Sequence, residues 1–114
     1  MEWTASLRRA IAYMEKHLLE PIDTDAVAKE AQLPSVSLQQ GFKIMTGYSL
    51  GEYIRFRRLY LAALDIMAGQ NRVIDLALKY GYETPESFSK AFRRFHGISP
   101  SQLSGNRNSI TTFL

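Results

Sequence analysis

Two segments of the chain combine small or hydrogen-bonding side chains with positive charges. One segment carries Ser35, Val36, Ser37, Gln39, Gln40 and Lys43, and the other carries Thr84, Pro85, Glu86, Ser87, Ser89, Lys90, Arg93 and Arg94. Amides and hydroxyls can exchange hydrogen bonds with the edges of nucleic-acid bases, whereas lysine and arginine attract phosphates. These residue types predict contacts with double-stranded DNA, through its bases as well as its backbone.

Catalytic groups are sparse by comparison. The sequence has no cysteine, and its two histidines, His17 and His96, fall in different predicted helices with no evident nucleophile beside them. The serines cluster where helices are predicted to begin, and helix capping explains them. The sequence shows no glycine-rich phosphate loop and no metal-ligand spacing. We therefore predict that the chain is not an enzyme and needs neither a cofactor nor a metal.

The charges are distributed unevenly along the 114 residues. Residues 1–40 contain four lysines and arginines against six acids, a net charge of −2, and the remainder carries +5, which leaves +3 overall. The later part of the chain therefore suits a polyanionic partner, since neutralising phosphates drives affinity for nucleic acid. The sequence has no apolar run near the roughly 20 residues of a membrane span and no signal-peptide pattern, which fits a cytoplasmic protein.

Every long segment has the apolar periodicity of a helix, so we predict an all-α fold of seven helices. The first apolar stripe, ended by Pro21, comprises Leu7, Ala10, Ile11, Met14 and Leu18. Asp23 can cap a second helix, Thr24 to Ala31, with Val27 and Ala28 inward. The third helix is predicted from Pro34 and Ser35 to about Thr46, ended by Gly47, with an inward face of Leu38, Phe42 and Met45.

The second half repeats this helical pattern. Ser49 and Glu52 form a capping box for a fourth helix of about 20 residues and roughly 30 Å, reaching Gly69, which we interpret as a spacer. Its apolar positions are Tyr53, Ile54, Phe56, Leu59, Tyr60, Ala63, Leu64 and Met67. Asn71 can cap a fifth helix that ends near Tyr80 and Gly81, with Ile74, Ala77 and Leu78 inward. Thr84 and Pro85 start a sixth, and Ser99 and Pro100 a short last one; the sixth ends at Gly97 and has an inward face of Phe88, Ala91, Phe92 and Phe95.

An internal repeat connects the two halves. At an offset of 50 positions the matching pairs include Leu38 with Phe88, Phe42 with Phe92, Lys43 with Arg93, Gly47 with Gly97 and Ser49 with Ser99. Upstream the offset becomes 49 and pairs Gln32 with Gly81. Each copy is a short helix, a turn and a longer helix, which is the helix-turn-helix unit. The third and sixth helices are the second helices of these units, and they carry the two polar segments.

The stretch from about Leu7 to Leu103 resembles the AraC/XylS family of bacterial transcription regulators. The most specific matches are Ile74-Asp-Leu-Ala, Tyr80-Gly-Tyr, Ser87-Phe-Ser-Lys-Ala-Phe-Arg-Arg and Gly97-Ile-Ser-Pro. Further matches are Leu38, Phe42-Lys43, Thr46-Gly47, Tyr53-Ile54 and Arg57-Arg58-Leu59. The resemblance implies two helix-turn-helix subdomains joined by the fourth helix, with the third and sixth helices reading major-groove segments ~34 Å apart. It also implies an asymmetric promoter site, binding as a monomer, and RNA polymerase as a further partner.

The same matches suggest a domain organisation. We place a DNA-binding domain at residues 1–103, with subdomain 1 at about 4–48, the linker helix at about 49–69 and subdomain 2 at about 71–103, followed by a linker or tail over 104–114. The chain looks closest to family members that carry this domain at the amino end, sometimes followed by a gyrase-inhibitor-like effector domain. The apolar ending Ile110 to Leu114 suits such a continuation, through which a small-molecule inducer could act. A tail that packs on its own domain is the alternative.

The third helix is expected to contact both bases and backbone. Gln39 and Gln40 are predicted to touch base edges, the alternative being solvated surface, and Lys43 is predicted to position phosphates. The family often has arginine at the position of Gln40, and glutamine prefers adenine where arginine prefers guanine. The preferred bases of this half-site therefore differ from those that the resemblance alone would imply.

The sixth helix is more strongly charged. Ser87, Ser89 and Lys90 are predicted to contact bases, with contact to phosphates alone as the alternative, and Arg93 and Arg94 are predicted to position phosphates. Glu86 could accept a hydrogen bond from cytosine, repel other DNA or remain solvated.

Three arginines of the fourth helix and the tryptophan lie outside these two helices. Arg55, Arg57 and Arg58 are expected to be solvated or to pair with Asp65 or Asp75, with phosphate contact as the alternative, and Trp3 is expected to be an end anchor. The competing function for the whole chain is a helical protein-interaction module that contacts RNA polymerase or another regulator.

Overall fold

The computed structural model describes residues 3–70 and 72–105, and every regular element in them is an α-helix. The helices are α1 (Trp3–Lys16), α2 (Thr24–Ala31), α3 (Ser35–Thr46), α4 (Leu50–Met67), α5 (Val73–Lys79), α6 (Pro85–His96) and α7 (Pro100–Gly105). The predicted all-α fold of seven helices is thus confirmed for this part of the chain. None of the described helices is long and apolar enough to cross a lipid bilayer.

The helices belong to two compact units, which divide inside α4 between Ile54 and Arg55. Unit 1 contains α1, α2, α3 and the start of α4, and α2 packs against both α1 and α3. Its buried apolar residues are Ala10, Met14, Leu18, Val27, Ala28, Ala31, Leu33, Leu38, Phe42, Leu50 and Tyr53. The Tyr53 ring meets Phe42 edge-on, and the Tyr53 hydroxyl donates a hydrogen bond of 2.9 Å to Glu15 Oε2. The core of unit 1 therefore satisfies the Tyr53 hydroxyl without losing apolar contact.

Unit 2 contains the rest of α4 with α5, α6 and α7. Its core consists of Leu59, Ala62, Ala63, Ile66, Leu76, Ala77, Tyr80, Phe88, Phe92 and Leu103. Asp65 of α4 accepts hydrogen bonds from the Tyr80 hydroxyl at 2.6 Å and from Lys79 Nζ at 2.9 Å. Burial, with a further contribution from this carboxylate, raises the pKa of the Tyr80 phenol far above its ordinary value. Tyr80 therefore remains a proton donor that ties the end of α5 to α4.

The turn inside each helix-turn-helix unit has the same hydrogen bonds. In both units the amide at the turn position donates to the carbonyl three residues back, and the following amide donates to the carbonyl five residues back. The turn position is Gln32 in unit 1, with φ of 60°, and Gly81 in unit 2, with φ of 84°. This confirms the predicted equivalence of the two turns. The left-handed conformation costs a residue with a side chain about 1–2 kcal/mol, so the turn of unit 1 is the more strained.

The helices that follow each unit begin with the same cap. The predicted capping box of α4 is present, with the Ser49 amide donating to Glu52 Oε1 at 2.9 Å and the Glu52 amide donating to Ser49 Oγ at 3.0 Å. Ser99 and Gln102 exchange the equivalent pair of hydrogen bonds, 2.8 and 3.2 Å long, at the start of α7. The repeat therefore extends beyond α3 and α6 into the helices that follow them.

The predicted inward face of α5 is wrong in two of its three residues. Ile74 and Leu78 are 63% and 77% exposed, and the fully buried residues of α5 are Leu76 and Ala77. The apolar residues of this segment fit two overlapping stripes at helical spacing. The buried stripe is the one that continues into Tyr80, because that residue adds both a large ring and a hydrogen bond to Asp65.

Two further residues predicted to face inward are exposed. Met45 is 47% exposed, since it lies in the last turn of α3, beyond the turn in which Phe42 is buried. Leu64 is 38% exposed because the buried stripe of α4 runs through Ala63 and Ile66, which leaves the intervening position one step around the helix.

Two helix ends also differ from the prediction. α1 ends at Lys16, before Leu18, because the His17 amide bonds to the carbonyls of both Tyr13 and Met14 in a tightened final turn. α7 continues to Gly105, whereas the linker was expected to begin at residue 104. The predicted Asn71 cap and the tail from residue 106 lie outside the described residues.

Candidate nucleic-acid interface

One side of α3 carries two adjacent rows of side chains. These rows contain most of the residues of the first polar segment, which was predicted to contact DNA. We call these rows the α3 face, which consists of Ser35, Gln39 and Lys43 in one row and Val36, Gln40 and Ile44 in the other. Five of the six side chains are exposed, and Ser35 is partly buried. Ser37, predicted as part of the same site, is partly buried and lies beyond the Val36–Gln40 row, on the side away from Gln39. The structure thus brings five of the six predicted residues onto one surface.

The opposite side of α3 fixes the helix within unit 1. Leu38 and Phe42 are buried in the core. Trp3 lies against Gly41 so closely that a Cβ added at this glycine would overlap the indole ring. Trp3, predicted as an end anchor, therefore packs the start of α1 on the middle of α3. A helix held in this way presents its exposed face with little freedom to rotate.

A groove runs along the second half of the α3 face. It is lined by Gln39, Gln40, Lys43 and Ile44 of α3 together with Thr24, Ser49, Leu50 and Gly51. At the start of the same face, Gln39 Nε2 donates a hydrogen bond of 3.0 Å to Ser35 Oγ, one helical turn earlier. The α3 face therefore offers amide donors and acceptors with a single cation, Lys43.

The exposed side of α6 has a different chemistry. We call it the α6 face, which consists of Glu86, Lys90 and Arg94 at every fourth position and Arg93 beside them. All four side chains are exposed, and Ser89 is partly buried at the edge of this face. Three cations and one carboxylate make the α6 face more strongly positive than the α3 face. It is therefore the better suited of the two to phosphates.

Two of the predicted residues at the start of α6, Thr84 and Ser87, form the cap of this helix. Thr84 Oγ1 accepts from the Ser87 amide at 3.0 Å and donates to Ser87 Oγ at 3.0 Å, while Ser87 Oγ donates to the Thr84 carbonyl at 2.9 Å. Pro85 occupies the first turn, where its missing amide hydrogen costs nothing. Because both hydroxyl hydrogens are used within the cap, the hydroxyls of Thr84 and Ser87 can only accept further hydrogen bonds.

The far end of α6 is fixed by a residue to which sequence reasoning gave no structural role. His96 is 8% exposed, and its ring packs against the rings of Phe92 and Phe95. His96 Nε2 lies 2.9 Å from the carbonyl oxygen of Leu59, and since a carbonyl can only accept, this nitrogen carries the hydrogen. Burial lowers the pKa of His96, against a weaker opposite effect of the Leu59 carbonyl. His96 is therefore a neutral hydrogen-bond donor that joins the end of α6 to α4.

Two of the three arginines of α4 pack against aromatic rings in unit 2. The guanidinium of Arg55 lies 5.2 Å from the centre of the Phe56 ring, and that of Arg57 lies 5.5 Å from the centre of the Tyr60 ring. Burial lowers the pKa of Arg58. Asp65 and Asp75, expected as partners of these arginines, form ion pairs with Lys79 and with Arg72 respectively.

Ile44 is a second residue that sequence reasoning missed. It is 83% exposed at the end of the Val36–Gln40 row, where no core position is available to it. Its signal in the sequence was a large apolar residue four positions after Gln40, out of phase with the Leu38–Phe42 stripe. An exposed aliphatic side chain of this kind is chemically suited to contact with the methyl group of thymine.

Two helix-turn-helix units, each of which fixes one side of its second helix and exposes a polar opposite side, define a DNA-binding protein of the helix-turn-helix class. A family model described as a helix-turn-helix domain matches residues 27–106. Regulatory protein SoxS of Escherichia coli (strain K12) is 37% identical over 91 residues, which cover 80% of this chain and 85% of SoxS. The HTH-type transcriptional activator AarP of Providencia stuartii is also 37% identical over 91 residues, or 80% of this chain and 67% of AarP.

Solved structures show the same fold. A transcriptional regulator from Chromobacterium violaceum, described as an AraC-type DNA-binding domain-containing protein, superimposes with a TM-score of 0.86 at 24% identity, over 93% of this chain and 95% of that one. The chain belongs to the AraC-type family of helix-turn-helix, DNA-binding transcription regulators.

Proposed function

We propose that the chain regulates transcription by reading an asymmetric promoter site with α3 and α6, each in its own major-groove segment. The observation that carries this proposal is the shared design of the two units. In each, the second helix is fixed in its core by two buried residues, Leu38 and Phe42 in α3 or Phe88 and Phe92 in α6, and exposes a polar face. Because the two faces differ in chemistry, the two half-sites should differ in sequence.

The α3 face supplies most of the base recognition in this proposal. Gln39 and Gln40 contact base edges, Val36 and Ile44 contact thymine methyl groups, and Lys43 holds a phosphate. Ser35 and Ser37, nearer the start of the helix, support these contacts.

The α6 face supplies more of the backbone affinity. Ser89 and Lys90 contact bases, and Arg93 and Arg94 hold phosphates. The hydroxyls of Thr84 and Ser87 meet DNA only as acceptors, because their hydrogens are used in the cap. Pro85 keeps the first turn of α6 close to the groove, and Glu86 accepts from cytosine or discourages other bases.

The wider role follows from the family. AarP is an activator by its name, and we propose activation for this chain as well, through contact with RNA polymerase while the chain is bound to the promoter as a monomer. Because the chain would bind bacterial DNA, we propose that it acts in the cytoplasm. A small-molecule inducer would act through a domain outside these residues. The proposed activity requires binding to the promoter and to RNA polymerase, and it requires no catalysis.

The experiment that tests the proposal is selection of binding sites from a random duplex library of about 24 base pairs, which can hold two motifs one helical turn apart. The selected duplex is then titrated at several salt concentrations. We expect an asymmetric consensus with two separate motifs. Arg93→Gln should reduce the slope of log affinity against log salt by ~1, while Lys16→Gln, at the exposed end of α1, should leave it unchanged.

Other results would contradict the proposal. Absence of enrichment, with weak binding that depends only on salt, would show that the chain does not read sequence. Affinity for RNA polymerase without sequence-specific DNA binding would favour the protein-interaction module instead.

A further inference from the structure

The Ser35–Gln39 hydrogen bond lies on the surface that the proposed function assigns to base reading. Ser35 is the first residue of α3 and is partly buried, whereas Gln39 is exposed one turn later. The bond runs from Gln39 Nε2 to Ser35 Oγ over 3.0 Å. A glutamine in solution samples many rotamers, and a short bond to a residue anchored in the helix restricts it to a few.

The bond leaves a defined set of groups available on the amide. A glutamine side chain has two N–H donors and one carbonyl oxygen with two lone pairs. Ser35 Oγ accepts from one N–H of Gln39, so the other N–H and Oε1 remain available to face the major groove of DNA. One donor beside one acceptor is the set that adenine complements in the major groove, through N7 and the N6 amino group.

The other bases match this set less well. Guanine presents two acceptors, O6 and N7, so Oε1 would face another acceptor. Cytosine offers one donor and thymine one acceptor beside its methyl group, so each leaves half of the amide unpaired. An unpaired polar group in a desolvated interface opposes binding.

We propose that Ser35 positions the Gln39 amide so that Gln39 reads adenine in the half-site of α3. The inference rests on the proposed function, because it requires α3 to lie in a major groove. Ser35 acts as a positioning residue, and Gln39 makes the contact. Gln40 lies in the adjacent row and reads a separate position.

The test uses the full chain and the duplex obtained by site selection. The position read by Gln39 is the one at which Gln39→Ala removes the base preference, and affinity is then measured with each of the four base pairs at that position. We expect wild type to prefer adenine there, and Gln39→Ala to lose roughly 5- to 150-fold of that preference. Gln39→Glu should shift the preference to cytosine, because a carboxylate accepts from the cytosine N4 amino group.

Variants of Ser35 test the positioning role. Ser35→Ala should reduce the adenine preference roughly 2- to 10-fold, since Gln39 must then be immobilised during binding. Ser35→Thr retains the hydroxyl and should restore the preference. The readout is the ratio of affinities for two bases at one position, which a general loss of folding does not change.

Several results would overturn this inference. They are a preferred base other than adenine at the Gln39 position, a Ser35→Ala variant with an unchanged adenine preference, and a Ser35→Ala loss that is equal for all four bases. In each of these cases selective DNA binding persists and the proposed function stands. A wild-type chain without any sequence preference would overturn both.

Discussion

His96 makes the stability of unit 2 depend on pH in a predictable direction. Its ring is buried against Phe92 and Phe95 and donates to the Leu59 carbonyl, and burial lowers its pKa below the ordinary value of a histidine. The unfolded chain therefore binds this proton more readily than the folded chain does. The stabilisation is complete above the unfolded pKa of about 6.5, and it declines as the pH falls through that value towards the lower folded pKa.

The size of the effect is bounded by the protonation of the unfolded state. At about pH 5.5, about ten of every eleven unfolded molecules carry the His96 proton, so the loss cannot exceed about 1.4 kcal/mol. With a urea dependence of about 2 kcal/mol per molar, the unfolding midpoint should move down by up to about 0.7 M between about pH 7.5 and pH 5.5. This window lies above the ordinary range of carboxyl pKa values, which limits other contributions.

The assay is urea unfolding followed by far-ultraviolet circular dichroism, which reports helices in both units. Trp3 is the only tryptophan of the sequence and belongs to unit 1, so its fluorescence does not report directly on the surroundings of His96. His96→Gln retains an N–H donor without a titratable ring and should lose this pH dependence, whereas His17→Gln should keep it. A midpoint that does not change with pH in wild type, or an undiminished decline in His96→Gln, would refute the reasoning.

Three stability predictions follow from other contacts and can be checked by the same unfolding assay. Gln32→Gly should raise the free energy of unfolding by about 1 kcal/mol, because glycine adopts the left-handed turn without strain, and a decrease would argue against strain at this position. Gly41→Ala should lower it by about 1–3 kcal/mol through overlap with Trp3, and a similar cost in a Trp3→Ala background would show that the indole is not the cause. Tyr80→Phe should lower it by about 1–3 kcal/mol by removing the hydrogen bond to Asp65, and an unchanged midpoint would contradict that role.

Much of the architecture could be predicted from local signals in the sequence. Asp23 and Thr84 cap the helices that they were predicted to cap, and Ser49 and Glu52 form the predicted box. Each of these caps is formed by residues within one helical turn of each other, so the local sequence is enough to predict it. The equivalence of the turns at Gln32 and Gly81 was likewise visible as a repeat, whereas the left-handed conformation of Gln32 was not predicted.

Features that depend on packing between helices were harder to predict. Ile74 and Leu78 fit a helical stripe as well as the buried residues of α5 do, and only the packing of α5 against α6 and α4 decides which stripe faces the core. The burial of His96 depends on a carbonyl 37 positions away in sequence, at Leu59. At the start of α6, the hydroxyls of Thr84 and Ser87 take part in the helix cap, and the sequence had predicted DNA contacts for both residues.

The most direct test of tandem reading is to repeat the site selection with one variant in each recognition helix. Gln40→Ala changes the α3 face and Lys90→Ala changes the α6 face, and both side chains are exposed away from the cores of their units. If α3 and α6 read separate segments, each variant should weaken the base preference in only one of the two motifs, and the two variants should affect different motifs. Loss of preference in the same motif, or in neither, would contradict reading by two separate helices.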